Sequence, residues 1–411
     1  MLTKFPNMLR ILLVMAFAIY AYSDKIKRER SALREGPGPW YPLLVELSSG
    51  SEVLTIENKG EWRFVEYEGK RGYVAKRAFF GKKKKVDPLW RLSSSSEKSS
   101  ISHAGVTAAV KGFAERFSKH LKTDYSQLDV FQNSLISPKS FLEFKKETLD
   151  FKKEKVLLEK FPLSSQESEG VFSFAEEGSG LAIALKISSL GLFEDNELVK
   201  YVNHVGAFVA EQSHGYDMNF RFHIIDSPSV NGYACPGGII FITRGALETM
   251  RSEAELACFL GHEIAHVTAR HGLQEMEHRK IQIKSGNAVD AMNRAFGEEE
   301  IDEDIAHLEE VAILSYQRIF TGRLSEYEEE ADALGLLYAT RAGYNPVAMV
   351  DFLKRLKAKN VSQESEHYSV KENSLRISRL KRRLAEQQLN TQLFQAHSQR
   401  FLDVSLALNK K

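Results

Sequence analysis

Two histidines four residues apart, His262 and His266, stand in the run ELACFLGHEIAHVTARHG at positions 255–272. On a helix they share one face and direct both imidazoles at a single ion, while Glu263 is angled to reach a water bound to that ion. The flanks are apolar: Leu256, Phe259, Leu260, Ile264 and Val267. Imidazole and carboxylate groups inside such a helix cost free energy unless something pairs them, and zinc supplies that pairing. The chemistry this spacing points to is metal-assisted hydrolysis, with Glu263 as general base. A polar helix face carrying two histidines would give the same string of residues, but not the same apolar flanks.

A catalytic zinc takes three protein ligands and leaves a position for water, so a third ligand must come from another element. No His-x-x-Gly-x-x-His extension follows His266, so the metzincin pattern is absent. The later stretch EYEEEADALGLLYATRAGYNP at 326–346 carries Glu328 and Asp332 four apart, hence on one helix face. Glu328 is the expected ligand, giving one Zn2+ per chain on His262, His266 and Glu328. Asp332 is expected to orient a ligand imidazole through its other ring nitrogen. The neighbouring Glu326, Glu329 and Glu330 are accounted for by compensation of the helix dipole.

These residues sit in a chain of 411 residues, 43% hydrophobic and 27% charged, which is a globular composition long enough for two or three domains. A formal net charge of +1 disfavours a nucleic-acid binder. Two cysteines exclude a disulfide framework and a cysteine-rich metal cluster. Cys235 and Cys258 flank the catalytic core as a disulfide or, the expected state, as two separately buried thiols, and neither is assigned to zinc.

Residues 1–23 combine a short basic region with the apolar run ILLVMAFAIYAY and read as a signal peptide cleaved near Ser23. Export, with a periplasmic location, follows. Secretion, or tethering through an uncleaved anchor, is the alternative. No later stretch is apolar enough to span a membrane. Residues 38–86 alternate as short strands broken by glycine turns and read as a small all-β barrel. Residues 87–170 form a linker, with the lysine run 82–85 before it, and a charged helical region whose clearest amphipathic stretch starts at Phe141. Residues 171–390 carry the metal motif, with strands expected at 220–226 (FRFHIID) and 238–243 (GIIFIT), and 391–411 form a loose tail. The expected fold class is α+β: a mainly helical HExxH metallopeptidase domain with a small edge-exposed sheet, preceded by the barrel. The strand 238–243 is the candidate edge onto which an extended peptide adds, with Asn231, Gly237, Gly238, Ile239 and Ile240 as substrate-binding residues. The segment 274–319 between the ligand blocks is expected to be a lid or a plain packing helix.

HEIAHVTARHG followed by EYEEEADALG resembles the gluzincin metallopeptidases that include the HtpX heat-shock protease, the CAAX prenyl endopeptidases and the periplasmic protease BepA. NGYACPGGIIFITRGAL at 231–247 is similar to the block that precedes the zinc helix in that family. Three blocks in order, from about Gly178 to Leu384, carry the resemblance. It implies His262, His266 and Glu328 as zinc ligands, Glu263 as general base, and unfolded or misassembled envelope proteins as substrates. Without membrane spans, the chain looks like the soluble periplasmic branch. Family members carry a His-Pro pair before an Arg-Ile, credited with helping the oxyanion. Here Arg376-Ile377 is present, the aligned pair reads Val370-Lys371, and His367 stands three residues earlier. His367 and Arg376 are the oxyanion candidates, and Arg376 is equally a structural partner for an acidic residue. Gly60-Glu61-Trp62 and Gly72-Tyr73-Val74 resemble the bacterial SH3-like domain, which implies a cell-wall peptide or a protein segment as its ligand. The rival reading is an inactive, metal-bound chaperone or scaffold with an SH3-like module, and the intact motif residues argue against it.

Overall fold

The computed structural model describes residues 22–28, 30–80, 130–131, 136–163, 174–272, 324–358, 370–387 and 393–409. Residues 1–21 of the expected signal peptide, the lysine run, His367 and the segment 274–319 lie outside the described residues. The chain divides into two units, Met1–Lys85 and Val86–Lys411.

The first unit is a six-stranded, wholly antiparallel sheet. Its strands are β1 (Tyr22–Lys25), β2 (Arg30–Arg34), β3 (Leu43–Ser48), β4 (Glu52–Lys59), β5 (Trp62–Tyr67) and β6 (Lys70–Ala75), in the order β1-β4-β5-β6-β2-β3. Alternation aims Leu33, Leu47, Val53, Val65 and Val74 at one core, which Ile26, Ala78 and Phe79 complete. The sheet starts at Tyr22, well before the expected boundary at 38, and the expected cleavage point Ser23 falls inside β1. The charges of SDKIKRER obscured these two strands. Arg30 lies in β2 because Glu46 on β3 receives its guanidinium.

The second unit is mainly helical. Helices α1 (Pro138–Thr148) and α2 (Phe151–Lys160) divide the amphipathic stretch that starts at Phe141, because the Asp150 side chain accepts from Lys152 N and starts a new helix. They pack on the rest of this unit through Lys145–Glu211 and the bond from the Arg341 guanidinium to the Phe161 carbonyl. The second unit therefore takes in residues expected to be linker. Helices α3 (Phe174–Ser188) and α4 (Asn196–Glu211) lead into β7 (Arg221–Ile225), β8 (Gly232–Ala234) and β9 (Ile239–Thr243). The sheet order is β7-β9-β8, with β7 parallel and β8 antiparallel to β9.

That order corrects one expectation. The strand read as an edge, β9, is the central strand, and all five of its residues are buried. An unbroken apolar run such as IIFIT suits a strand covered on both faces and paired on both sides. Ile239 and Ile240 are core residues, and the outer strands of this sheet are β7 and the three-residue β8. Gly237 (φ 76°) and Gly238 (φ 85°) are both left-handed, so they make the tight turn between β8 and β9.

After α5 (Arg244–Thr249), the fully buried helix α6 (Glu253–Thr268) crosses α7 (Ser325–Arg341), with α8 (Val347–Ala358) and α9 (Val370–Glu386) beyond. The expected loose tail is docked. Phe394, Phe401 and Leu408 are buried, helix α10 (Ser398–Ser405) carries Arg400 onto Glu253 at the start of α6, and Ala254 N donates to Ala396 O.

Candidate metal centre

Helix α6 is capped by Ser252, whose side chain accepts from Glu255 N, and runs through a core of aliphatic and aromatic side chains. Its face towards α7 carries Gly261, His262 and His266. The facing stripe of α7 carries Glu328, Asp332 and Gly335 at intervals of four and three, one helix face. The two backbones touch where the glycines meet: a Cβ on Gly261 would stand 2.7 Å from the Gly335 carbonyl oxygen, and one on Gly335 only 2.5 Å from His262 N. This approach, closer than side chains allow, brings a carboxylate from α7 to the imidazoles of α6.

His262 Nε2 and His266 Nε2 lie 3.1 Å apart, and the Glu328 oxygens lie 3.3 Å from each. All three side chains are buried. One proton satisfies only one of these three contacts, whereas a single cation satisfies all of them. Tetrahedral donors at zinc bond lengths of about 2.0–2.1 Å stand about 3.3–3.4 Å from one another, so the spacing fits.

The outer nitrogens are held as well. His262 Nδ1 lies 3.0 Å from Asp332 Oδ1, and Arg376 on α9 grips the same carboxylate through Nε at 2.9 Å and a terminal nitrogen at 2.7 Å. Arg376 is 1% exposed. Of its two expected roles the structure displays the second, partner to an acidic residue. Burial opposes charge on His262, yet Asp332 and Glu328 outweigh it and raise its pKa to about 9. Burial likewise works against an ionised Glu328, but the two histidines hold its carboxyl well below the ordinary value. Asp332 is also lowered against burial, by Arg376 first and then His262.

Glu263 stands against the sheet. A Cβ on Gly232 would come within 2.4 Å of its Oε1, so the carboxylate lies directly over β8. Asn231, next to that strand, is tied by its backbone N to Thr243 Oγ1. The centre is thus flanked by an edge strand and a buried acid. Cys235 and Cys258 are free, buried thiols, and burial raises the Cys258 pKa to about 12.

Several of these positions had no role in the sequence reading. Gly261 and Gly335 reveal themselves only where two helices cross, and Gly232 only where β8 meets α6. His271 Nδ1 lies 2.9 Å from His266 Nδ1, and Glu330 reaches His271 at 3.3 Å, beyond its role at the helix dipole. The only signal in the sequence was a third histidine five positions after His266.

An α+β unit that gathers two histidines from successive turns and a glutamate from a second helix around one point has the build of a metalloprotease domain. Residues 196–398, just under half of the chain, match the model of peptidase family M48. The chain is 26% identical over 176 residues to the beta-barrel assembly-enhancing protease of Yersinia pestis, covering 41% of this chain and 35% of that one. To the protein of that name in Escherichia coli (strain K12) it is 27% identical over 170 residues, 41% of this chain and 34% of the other. It is 28% identical over 162 residues to the mitochondrial metalloendopeptidase OMA1 of Schizosaccharomyces pombe, 38% of this chain and 44% of that one. The similarity spans about a third of the length of the two bacterial relatives. Among the described residues no helix is long and apolar enough to cross a membrane.

Proposed function

We propose that this chain is a zinc-dependent endopeptidase of the HExxH-plus-glutamate kind that cleaves unfolded or misassembled proteins in the cell envelope, acting in the periplasm. The observation that carries the reading is the convergence of His262, His266 and Glu328 at 3.1–3.3 Å, with Glu263 one residue along and turned towards an edge strand. The names of the bacterial relatives support a substrate class among envelope proteins.

His262, His266 and Glu328 would hold the zinc, which would supply a polarised water and charge stabilisation for the attacked carbonyl. Glu263 would act as the base that accepts a proton from the attacking water and returns it to the leaving amide nitrogen. Asp332, locked by Arg376, keeps His262 in the tautomer that presents Nε2. An extended peptide paired with β8 would lie beside Glu263, gripped by main-chain hydrogen bonds with little regard to sequence. That selects chains by their being unfolded. The all-antiparallel first unit is read as an SH3-like module that holds a cell-wall peptide or a protein segment.

The test is cleavage of casein with and without a chelator, by the parent chain and by Glu263→Gln. Chelator-sensitive cleavage that disappears in Glu263→Gln while zinc stays bound supports the reading. Cleavage retained by Glu263→Gln refutes its assignment as base, and a zinc-loaded parent that cleaves nothing favours the scaffold.

A further inference from the structure

The two histidines of the centre are supported by different means. His262 rests on a carboxylate directly, through Asp332. At His266 the contact observed is of another kind. Its Nδ1 faces the Nδ1 of another imidazole, His271, at 2.9 Å, and His271 Nε2 faces Glu330 Oε2 at 3.3 Å. We infer that His271 is the positioning residue for the metal ligand His266, and that Glu330 fixes the tautomer of His271. The inference rests on the metal-centre reading above.

Proton placement follows from the geometry. His266 Nε2 faces His262 and Glu328, so a ligating His266 carries its proton on Nδ1. That N–H has His271 Nδ1 before it, which must accept. His271 then carries its own proton on Nε2 and donates it towards the Glu330 carboxylate. Each link sets the orientation of the next: Glu330 to His271 to His266 to the metal. The outcome for His266 matches what Asp332 provides for His262, with an imidazole inserted between ligand and carboxylate.

The local fold serves this placement. Helix α6 ends at Thr268, and Arg270 takes a left-handed backbone (φ 53°), which a non-glycine residue adopts only at a cost. The turn carries His271 back alongside the helix it has just left. His271 is fully buried, its ring meets His266 edge-on at 5.0 Å between centroids, and the Tyr327 ring covers it at 4.8 Å. A ring packed so has little freedom to rotate. Glu330, by contrast, is 41% exposed in its side chain, so this arm of the support ends at the protein surface.

The experiment measures zinc affinity of the metal-free full chain with a competing chromophoric chelator, and the visible spectrum of its cobalt(II) form. His271→Phe keeps a ring but has no acceptor, and zinc affinity should fall about 10- to 100-fold with an altered cobalt spectrum. His271→Asn places its Oδ1 where Nδ1 stood, and should bind within a few-fold of the parent with the parent's spectrum. Glu330→Leu, at the exposed end, should lose less than His271→Phe but more than two-fold. Parent-like affinity and spectrum in His271→Phe overturn the positioning role. Parent-like affinity in Glu330→Leu overturns the tautomer assignment, and decides alone if His271→Phe does not fold. Failure of the parent chain itself to take up zinc overturns the metal-centre reading and this inference with it.

Discussion

Replacing Gly335 by alanine tests whether the crossing of α6 and α7 builds the metal centre. The added Cβ would stand 2.5 Å from His262 N and 2.7 Å from the Gly261 carbonyl carbon, both backbone atoms of a buried helix. Ordinary contact begins near 3.4 Å, so the helices must part by close to 1 Å, since no side chain is there to rotate away. Glu328 lies two turns along the same stripe, and a metal site tolerates donor displacements of only about 0.2 Å. Overpacking of this kind costs about 1–3 kcal/mol. In the metal-free protein the helices relieve it by separating. Closing the ligands around zinc imposes it again, so affinity should fall by that amount, roughly 5- to 150-fold. The substitution favours the isolated helix by about 1 kcal/mol, which makes a large loss of helix content an unexpected result. The assay is zinc titration against a chromophoric chelator, with far-ultraviolet circular dichroism on the same samples. Affinity within two-fold of the parent, in a protein of unchanged melting temperature, would refute the crossing as the device that brings Glu328 to the histidines.

Arg400→Leu leaves Glu253 buried with only the hydroxyls of Tyr201 and Tyr344, at 2.6 and 2.8 Å, to hold it. The loss should be about 3–5 kcal/mol, and replacing Glu253 by leucine as well should restore much of it, measured by urea unfolding. No recovery in the double variant contradicts the pairing. His223 is buried between Phe131 and Phe241, its Nε2 has no hydrogen-bond partner among the described residues, and burial followed by Arg221 lowers its pKa to about 3. An unfolded histidine titrates near 6.5, so its neutral burial is fully favourable above that pH and is lost progressively as pH falls towards 3. Between pH 6.5 and 5 this removes about 2 kcal/mol, and His223→Leu should remove that part of the slope in unfolding free energy. An unchanged slope contradicts the assignment.

The elements that carry the proposed ligands were legible because their evidence is local. His262 and His266 share a face by spacing alone, Glu328 and Asp332 do so again, and FRFHIID and GIIFIT are strands in the structure. The edge was misread because β8 is three residues long and pairs with β9 through a glycine turn, so nothing in its composition separates it from a loop. The tail was misread because what docks it is distant in sequence: Arg400 answers to Glu253 and Gln395 to Gly343 and Asn345. The support of His266 was hidden for a similar reason. It depends on the left-handed Arg270 and on Glu330 from another helix, and neither is implied by a histidine five residues downstream.

The central claim is that His262, His266 and Glu328 hold one metal ion between two helices. Zinc content per chain after exhaustive dialysis, measured on the parent and on Glu328→Ala, tests it most directly. The account predicts one zinc per parent chain and well under one in Glu328→Ala, with the variant still folded. One zinc per chain in both would place the third ligand elsewhere and contradict the account.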